Sequence, residues 1–277
     1  MKKTEPVAIV GVGGVFPGAS NLGQYWNIIE SGTDTSSTVP EGRWALAPED
    51  VVDKSGIQPD KVYTDRGCFI RDYELNLDGL EISREFVASL DPVNHLLLYA
   101  GRQAWLDTKS NDSIDRKRTG IIIGNIALPT NGASALCEEL FTAEYEEQIF
   151  GSPRRGSRKT TAPLNRYVTG LPAGILARAL GLGFGSYTLD AACASSLYAV
   201  KLAVDELTSG RADVMLSGGL SRPDCLYTQM GFSQLHALSK SGKCSPFDQN
   251  GDGLLVGEGS GIVVLKRLSD ALRDGDQ

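Results

Sequence analysis

Residues 188–207, TLDAACASSLYAVKLAVDEL, join a short strand pattern to an amphipathic helix pattern through a turn of small side chains. Cys193 sits in that turn, between Ala191, Ala192, Ala194 and Ser195. So little bulk leaves a sulfur open to a second reactant. A strand-to-helix turn also presents its side chains at the carboxyl edge of a sheet, where open α/β sheets place ligands. The first N–H groups of a helix lack intrahelical acceptors and favour an anion, and a thiolate is one. A free thiol with a pKa of about 8.5 is only about 3% ionised at pH 7. Lowering that value to roughly 7 ionises half of it, a gain of about 2 kcal/mol for the thiolate. The same amides could hold the oxyanion of a thioester under attack. Asp190 is expected to turn inward or cap local amides, because a carboxylate beside the sulfur would raise the thiol pKa. From position alone, Cys193 reads equally as a nucleophile and as a small, inert buried residue.

The other four cysteines, at 68, 137, 225 and 244, read as small buried hydrophobes. Five is an odd number, the spacings are wide and no CxxC pair occurs, so neither a disulfide framework nor a zinc site is expected. Residues 11–16, GVGGVF, approach a dinucleotide fingerprint, but Phe16 stands at the third glycine position, and a turn at a strand end is the simpler reading. Residues 248–259 approach a calcium loop through Asp248, Asn250 and Asp252, yet position twelve is Gly259 and Glu258 falls one short. His95 reads as a structural histidine on a helix and His236 as a residue near a turn. The basic run Arg154, Arg155, Arg158 and Lys159 reads as solvated surface or, more sharply, as a docking patch for an acidic carrier protein.

The elements that must position Cys193 follow from apolar periodicity. Strands are expected at 7–14, 118–125, 185–190, 212–219 and 260–268. Helices are expected at 21–31, with Asn21 or Ser20 as cap and Gly32 as stop, at 91–107, at 133–148, in part over 165–182, and at 195–210. In the last of these, Leu197, Val200, Val204 and Leu207 would form the apolar face. Residues 32–66 read as a long surface excursion. This alternation predicts an α/β layered fold with a mainly parallel central sheet.

Composition bounds the rest. The chain has 277 residues, 41% hydrophobic and 22% charged, which excludes a disordered or collagenous chain. No apolar run approaches the ~20 residues of a membrane span. A net charge of −7 argues against nucleic-acid binding. The opening MKKTEPVAIVG lacks the pattern of a secretory leader, so a cytoplasmic location is expected.

The stretch LDAACASSLYAVKLA resembles the nucleophile segment of β-ketoacyl synthases, the condensing enzymes of the thiolase superfamily. The likeness extends through PVAIVGVGGVFPGASNLGQYWNIIESG, PEGRW, DPVNHLLLYAGRQAW, GLPAGILARALGL, SGRADVMLSGG and GFSQLHALSKSGKCSPFDQNGDGLLVGEGSGIVVLKRLSDAL, and so covers nearly the whole chain. His95 departs from the pattern, since many members carry Arg there. GNIALPTN and SRPDCLYTQMGFSQLHALS are most similar to ketosynthase domains of iterative polyketide and polyunsaturated-fatty-acid synthases.

The resemblance implies a thiolase-like fold, with residues 1–277 as the amino-terminal half of an α-β-α-β-α sandwich. It implies that Cys193 accepts an acyl chain, that Phe232 lies beside the acyl pocket, and that Gly218 and Gly219 form a tight turn. It implies acyl and malonyl-type thioesters carried on the phosphopantetheine of acyl carrier protein, no directly bound cofactor or metal, and a homodimer. The family's decarboxylation uses two histidines in HGT-type and N-x-G-H-type motifs. Neither motif occurs here, so this half alone is expected to be incomplete, with apolar surface left open where its other half would dock. A non-catalytic chain-length-factor-like partner and a non-decarboxylating acyltransferase of the same fold are the alternatives.

Overall fold

The computed structural model describes residues 5–56, 58–151, 161–222 and 225–277. The basic run Arg154, Arg155, Arg158 and Lys159 lies outside them. The first part of the chain forms β1 (Val7–Val15), α1 (Leu22–Ser31), β2 (Ser37–Thr38), α2 (Pro48–Val51), β3 (Arg66–Gly67), α3 (Arg84–Ser89) and α4 (Pro92–Asp107). It continues with β4 (Thr119–Asn125), α5 (Asn131–Phe150), α6 (Pro172–Ala179) and β5 (Ser186–Leu189). The last part forms α7 (Ser195–Thr208), β6 (Val214–Ser221), α8 (Leu226–Gln234), β7 (Gly259–Arg267) and α9 (Leu268–Asp274).

The punctuation works as the residue types require. The Asn21 side chain accepts a hydrogen bond from the Gln24 N–H, and Gly32 closes α1 at φ 64°. The Asp91 carboxylate accepts from the Val93 N–H, with Pro92 in the first turn of α4.

The main sheet has the order β1-β7-β6-β4-β5. β4 pairs in parallel with both β5 and β6, while β7 runs antiparallel between β6 and β1. Four of the five strands therefore point the same way, and their carboxyl ends share one edge of the sheet. Every residue of β4 is buried, as expected of a strand covered on both faces. On one face Ile121, Ile123, Leu216 and Val264 pack with Leu97, Ala100 and Leu176 of α4 and α6. On the other, Ile122, Met215 and Leu265 meet Ala199, Ala203 and Leu207 of α7.

Three expectations need correction. The buried stripe of α7 is Ser195, Ala199, Ala203 and Leu207, and Leu197 is 74% exposed. Small side chains every fourth residue let the helix lie close on the sheet, which turns the larger Leu197 outward. The cysteines are free, but only Cys225 is buried; Cys68 is half-buried, and Cys137 on α5 and Cys244 in the loop before β7 are exposed. The excursion over 32–66 is not all surface: β2 pairs with β3, and Val39, Trp44, Val51, Val62 and Phe69 form a small core of their own.

Candidate active site

Cys193 lies in a single 3₁₀ turn, Ala192–Ala194, between the end of β5 and the start of α7. The turn is strained and clamped. Ala192 has φ 49°, a left-handed conformation that costs a non-glycine residue roughly 1–3 kcal/mol. Its N–H donates to Asp190 Oδ1 at 2.8 Å, and the Ala127 N–H donates to Asp190 Oδ2 at 2.9 Å. Ser195 Oγ accepts from the Ala191 N–H at 2.8 Å and donates to the Ala192 carbonyl at 2.6 Å. Asp190 thus caps local amides, as its position in the sequence suggested.

Glycines set how close the helix start comes to the sheet. A Cβ on Gly124 would stand 2.4 Å from the carbonyl carbon of Ser195, and one on Gly219 would stand 2.8 Å from Ser196 Cβ. Gly218 and Gly219 do not form the expected turn; both lie within β6. Gly218, at φ 151°, is required because a Cβ there would stand 2.0 Å from the Gly261 carbonyl oxygen of β7.

The exposed Cys193 side chain opens on a cavity of about 610 Å³ at the carboxyl edge of the sheet. Phe232, on α8, lines the same cavity, with Ile126, Leu128, Leu254 and Val256. Helix α8 was not legible in advance. Its buried face is polar (Thr228, Gln229, Ser233), and Gln229 Nε2 donates to the Thr64 and Arg66 carbonyls instead of packing in an apolar core.

Two further residues of the wall stand in motifs that fail as cofactor or metal sites. Phe16, the misfit in the dinucleotide pattern, lines the cavity. Glu258, the misplaced calcium ligand, lines it too, with its side chain 1% exposed. Glu258 pairs with Arg43, accepts from the Ile70 N–H at 2.8 Å, and has Arg222 Nε 4.0 Å away. A carboxylate so deeply buried needs such compensation, and the pairing ties the Gly257–Gly259 wall to the excursion. A glutamate between glycines in an apolar run was the available signal. Asp252 instead accepts from Ser239 Oγ at 2.5 Å and from the Ser241 N–H at 2.7 Å, which holds its own loop. Among the described residues no cluster of His, Cys, Asp and Glu could hold a metal ion.

Neither histidine lines the cavity. His95 Nε2 donates to the Val87 carbonyl at 2.8 Å, and burial lowers its pKa. His236 is exposed, in a left-handed conformation (φ 59°) just past α8.

Over residues 4–271 the sequence matches the family described as Beta-ketoacyl synthase, N-terminal domain. The chain belongs to the β-ketoacyl synthase family. It is 32% identical over 281 residues to a phenolphthiocerol/phthiocerol polyketide synthase polypeptide of Mycobacterium tuberculosis, covering 99% of this chain and 14% of that protein. It is 31% identical over 288 residues to a polyunsaturated fatty acid synthase polypeptide of Thraustochytrium sp., covering 100% of this chain and 13% of that one. The ketosynthase chain thus spans about a seventh of these relatives.

Among solved structures it is similar to the PfaC keto synthase-chain length factor, with a TM-score of 0.89 and 34% identity over 99% of this chain and 30% of that chain. A ketosynthase from module 6 of the Bacillus subtilis bacillaene synthase gives a TM-score of 0.75 at 25% identity, over 98% of this chain and 42% of that one. The fold is the thiolase-like α/β arrangement of ketosynthases. No helix among the described residues is long and apolar enough to cross a membrane.

Proposed function

We propose that this chain is the nucleophile-bearing half of a decarboxylating β-ketoacyl-[acyl carrier protein] synthase, and that Cys193 is its acyl acceptor. One observation carries the reading: an accessible thiol at a strained, clamped strand-to-helix turn opens on a largely apolar cavity that Phe232 also lines. In the first step the Cys193 sulfur attacks the carbonyl of an acyl thioester carried on phosphopantetheine. A new sulfur–carbonyl bond forms, the old one breaks, and the proton lost from Cys193 ends on the departing thiol. In the second step a malonyl-type extender loses carbon dioxide. Its carbanion forms a carbon–carbon bond to the acyl carbonyl, and the Cys193 thiolate leaves.

In the family the second step draws on two histidine motifs, while the first, acyl transfer, is the step that Cys193 carries. We assign the chain to a cytoplasmic, homodimeric synthase that works with an acyl carrier protein. The PfaC neighbour is named for both a keto synthase and a chain length factor, which keeps a chain-length-factor-like role in view. The retained Cys193 favours the keto synthase side.

The test is incubation of the chain with an acyl-N-acetylcysteamine thioester, followed by intact mass measurement. The wild type should gain one acyl mass and Cys193→Ala none. Equal gain in both overturns the assignment. A complete synthase that extends the bound chain without releasing carbon dioxide overturns the decarboxylating part alone.

A further inference from the structure

A second recess of about 470 Å³ adjoins the Cys193 cavity, and Phe16 is the one residue among those described that lines both. The two spaces differ in chemistry. Ile126, Leu128, Leu254 and Val256 make the Cys193 side largely apolar. Ser20, Thr35, Ser37, Arg71 and Asp72 make the far side polar.

The Phe16 ring is held from several directions. Tyr25 stacks on it with centroids 4.2 Å apart. A Cβ on Gly14 would stand 2.6 Å from Phe16 Cε2, one on Gly259 3.1 Å from Cδ1, and one on Gly261 3.3 Å from Cζ. The ring therefore lies directly on the ends of β1 and β7, packed against Gly14 so closely that a larger residue there would displace it. Its backbone is fixed as well: the Phe16 N–H donates to the Ala19 carbonyl and the Ala19 N–H to the Phe16 carbonyl, both at 2.9 Å. Such a ring is a fixed wall and not a swinging gate.

We propose that Phe16 is a specificity-determining partition. It ends the apolar space open to the acyl chain on Cys193 and walls that chain off from the polar recess, so that acyl groups are selected by length and by an apolar terminus. This rests on Cys193 being the acyl acceptor. Removing the ring joins the two spaces and admits longer chains with a polar end.

The experiment uses the 277-residue chain. Acyl-N-acetylcysteamine thioesters of increasing length, each with its ω-hydroxy counterpart, are offered to the wild type, Phe16→Ala and Phe16→Leu. Occupancy of the Cys193 peptide is read by mass spectrometry. Phe16→Ala should raise the ratio of long ω-hydroxy to short plain acylation by about tenfold or more, the scale that a methylene-sized change in a pocket supports. Phe16→Leu should shift the ratio less, in the same direction, and it decides the matter if the alanine variant does not fold. Folded variants that label Cys193 with the wild-type profile overturn the partition and leave the acyl acceptor standing. A wild type that acquires no acyl group on Cys193 from any thioester overturns both.

Discussion

Gly124 lies directly beneath Ser195: a single methyl group on its Cα would stand 2.4 Å from the Ser195 carbonyl carbon. The first turn of α7 therefore rests on the backbone of β4. That contact, with the Asp190 and Ser195 hydrogen bonds, fixes where the Cys193 sulfur emerges at the sheet edge.

Substituting Gly124 by Ala forces α7 away from β4. The cost expected of overpacking is about 1–3 kcal/mol. Urea denaturation should show that loss, and Cys193 acylation should fall even in samples that remain folded. Unchanged acylation in a folded Gly124→Ala variant would separate the site from this contact.

Asp190→Ala removes the acceptor for two amides, those of Ala127 and Ala192. Asp190 is exposed, so water can replace part of what is lost, and the expected cost is about 1 kcal/mol. The effect on acylation should exceed the effect on stability, because the left-handed Ala192 can then relax. Thermal melts and acylation rates, measured on the same samples, check that order.

Lys266 is buried, 3% exposed, against Asp274 and Asp276, which it contacts at 2.5 Å and 2.7 Å. The hydrogen bond from Lys266 is the main reason that the Asp274 pKa is lowered. Burial works the other way at Asp276, yet bonds from Lys266 and Ser110 leave it lowered too. Carboxylates depressed in the folded state contribute stability above their unfolded pKa of about 3.9 and lose it as the pH falls further. The melting temperature should therefore drop below about pH 4. Lys266→Met should cost roughly 3–5 kcal/mol near neutral pH and flatten that acid loss. A wild-type acid profile in the Met variant contradicts this assignment.

Alkylation by iodoacetamide should reach the exposed Cys137, Cys193 and Cys244 before Cys68 and Cys225. Burial, and after it the charge of Asp34, push the Cys68 thiol up. Peptide mass spectrometry of a time course reads the order. Early labelling of Cys225 would mean that its surroundings open.

The frame of the sheet was legible because its central strands carry buried apolar runs: every residue of β4 and most of β6 are buried, although β1 leaves Ile9 and Val12 exposed. VAIVG, GIIIG and VMLSG read as apolar runs punctuated by glycine, and Asn21, Gly32 and Asp91 marked helix ends by their local chemistry. The turn around Cys193 was legible for the same local reason, and Asp190 behaves as a carboxylate in that position should. What stayed hidden was tertiary. Helix α8 hides a polar face, and its Gln229 finds its partners in carbonyls more than 160 residues away. Phe16 carries no local signal for its place in the wall, and Glu258 only its setting between glycines, since Tyr25 and Arg43 come from other elements. The resemblance implied a turn at Gly218 and Gly219, whereas both lie in β6, where Gly218 allows the close approach of Gly261 on β7.

The central claim is that Cys193 takes the acyl group, and peptide mapping of the acylated chain tests it most directly. After incubation with a hexanoyl-N-acetylcysteamine thioester, the hexanoyl mass should sit on the peptide containing Cys193, be released by hydroxylamine, and be missing in Cys193→Ala. A hexanoyl group found only on Cys137 or Cys244, or on no cysteine, would contradict the claim.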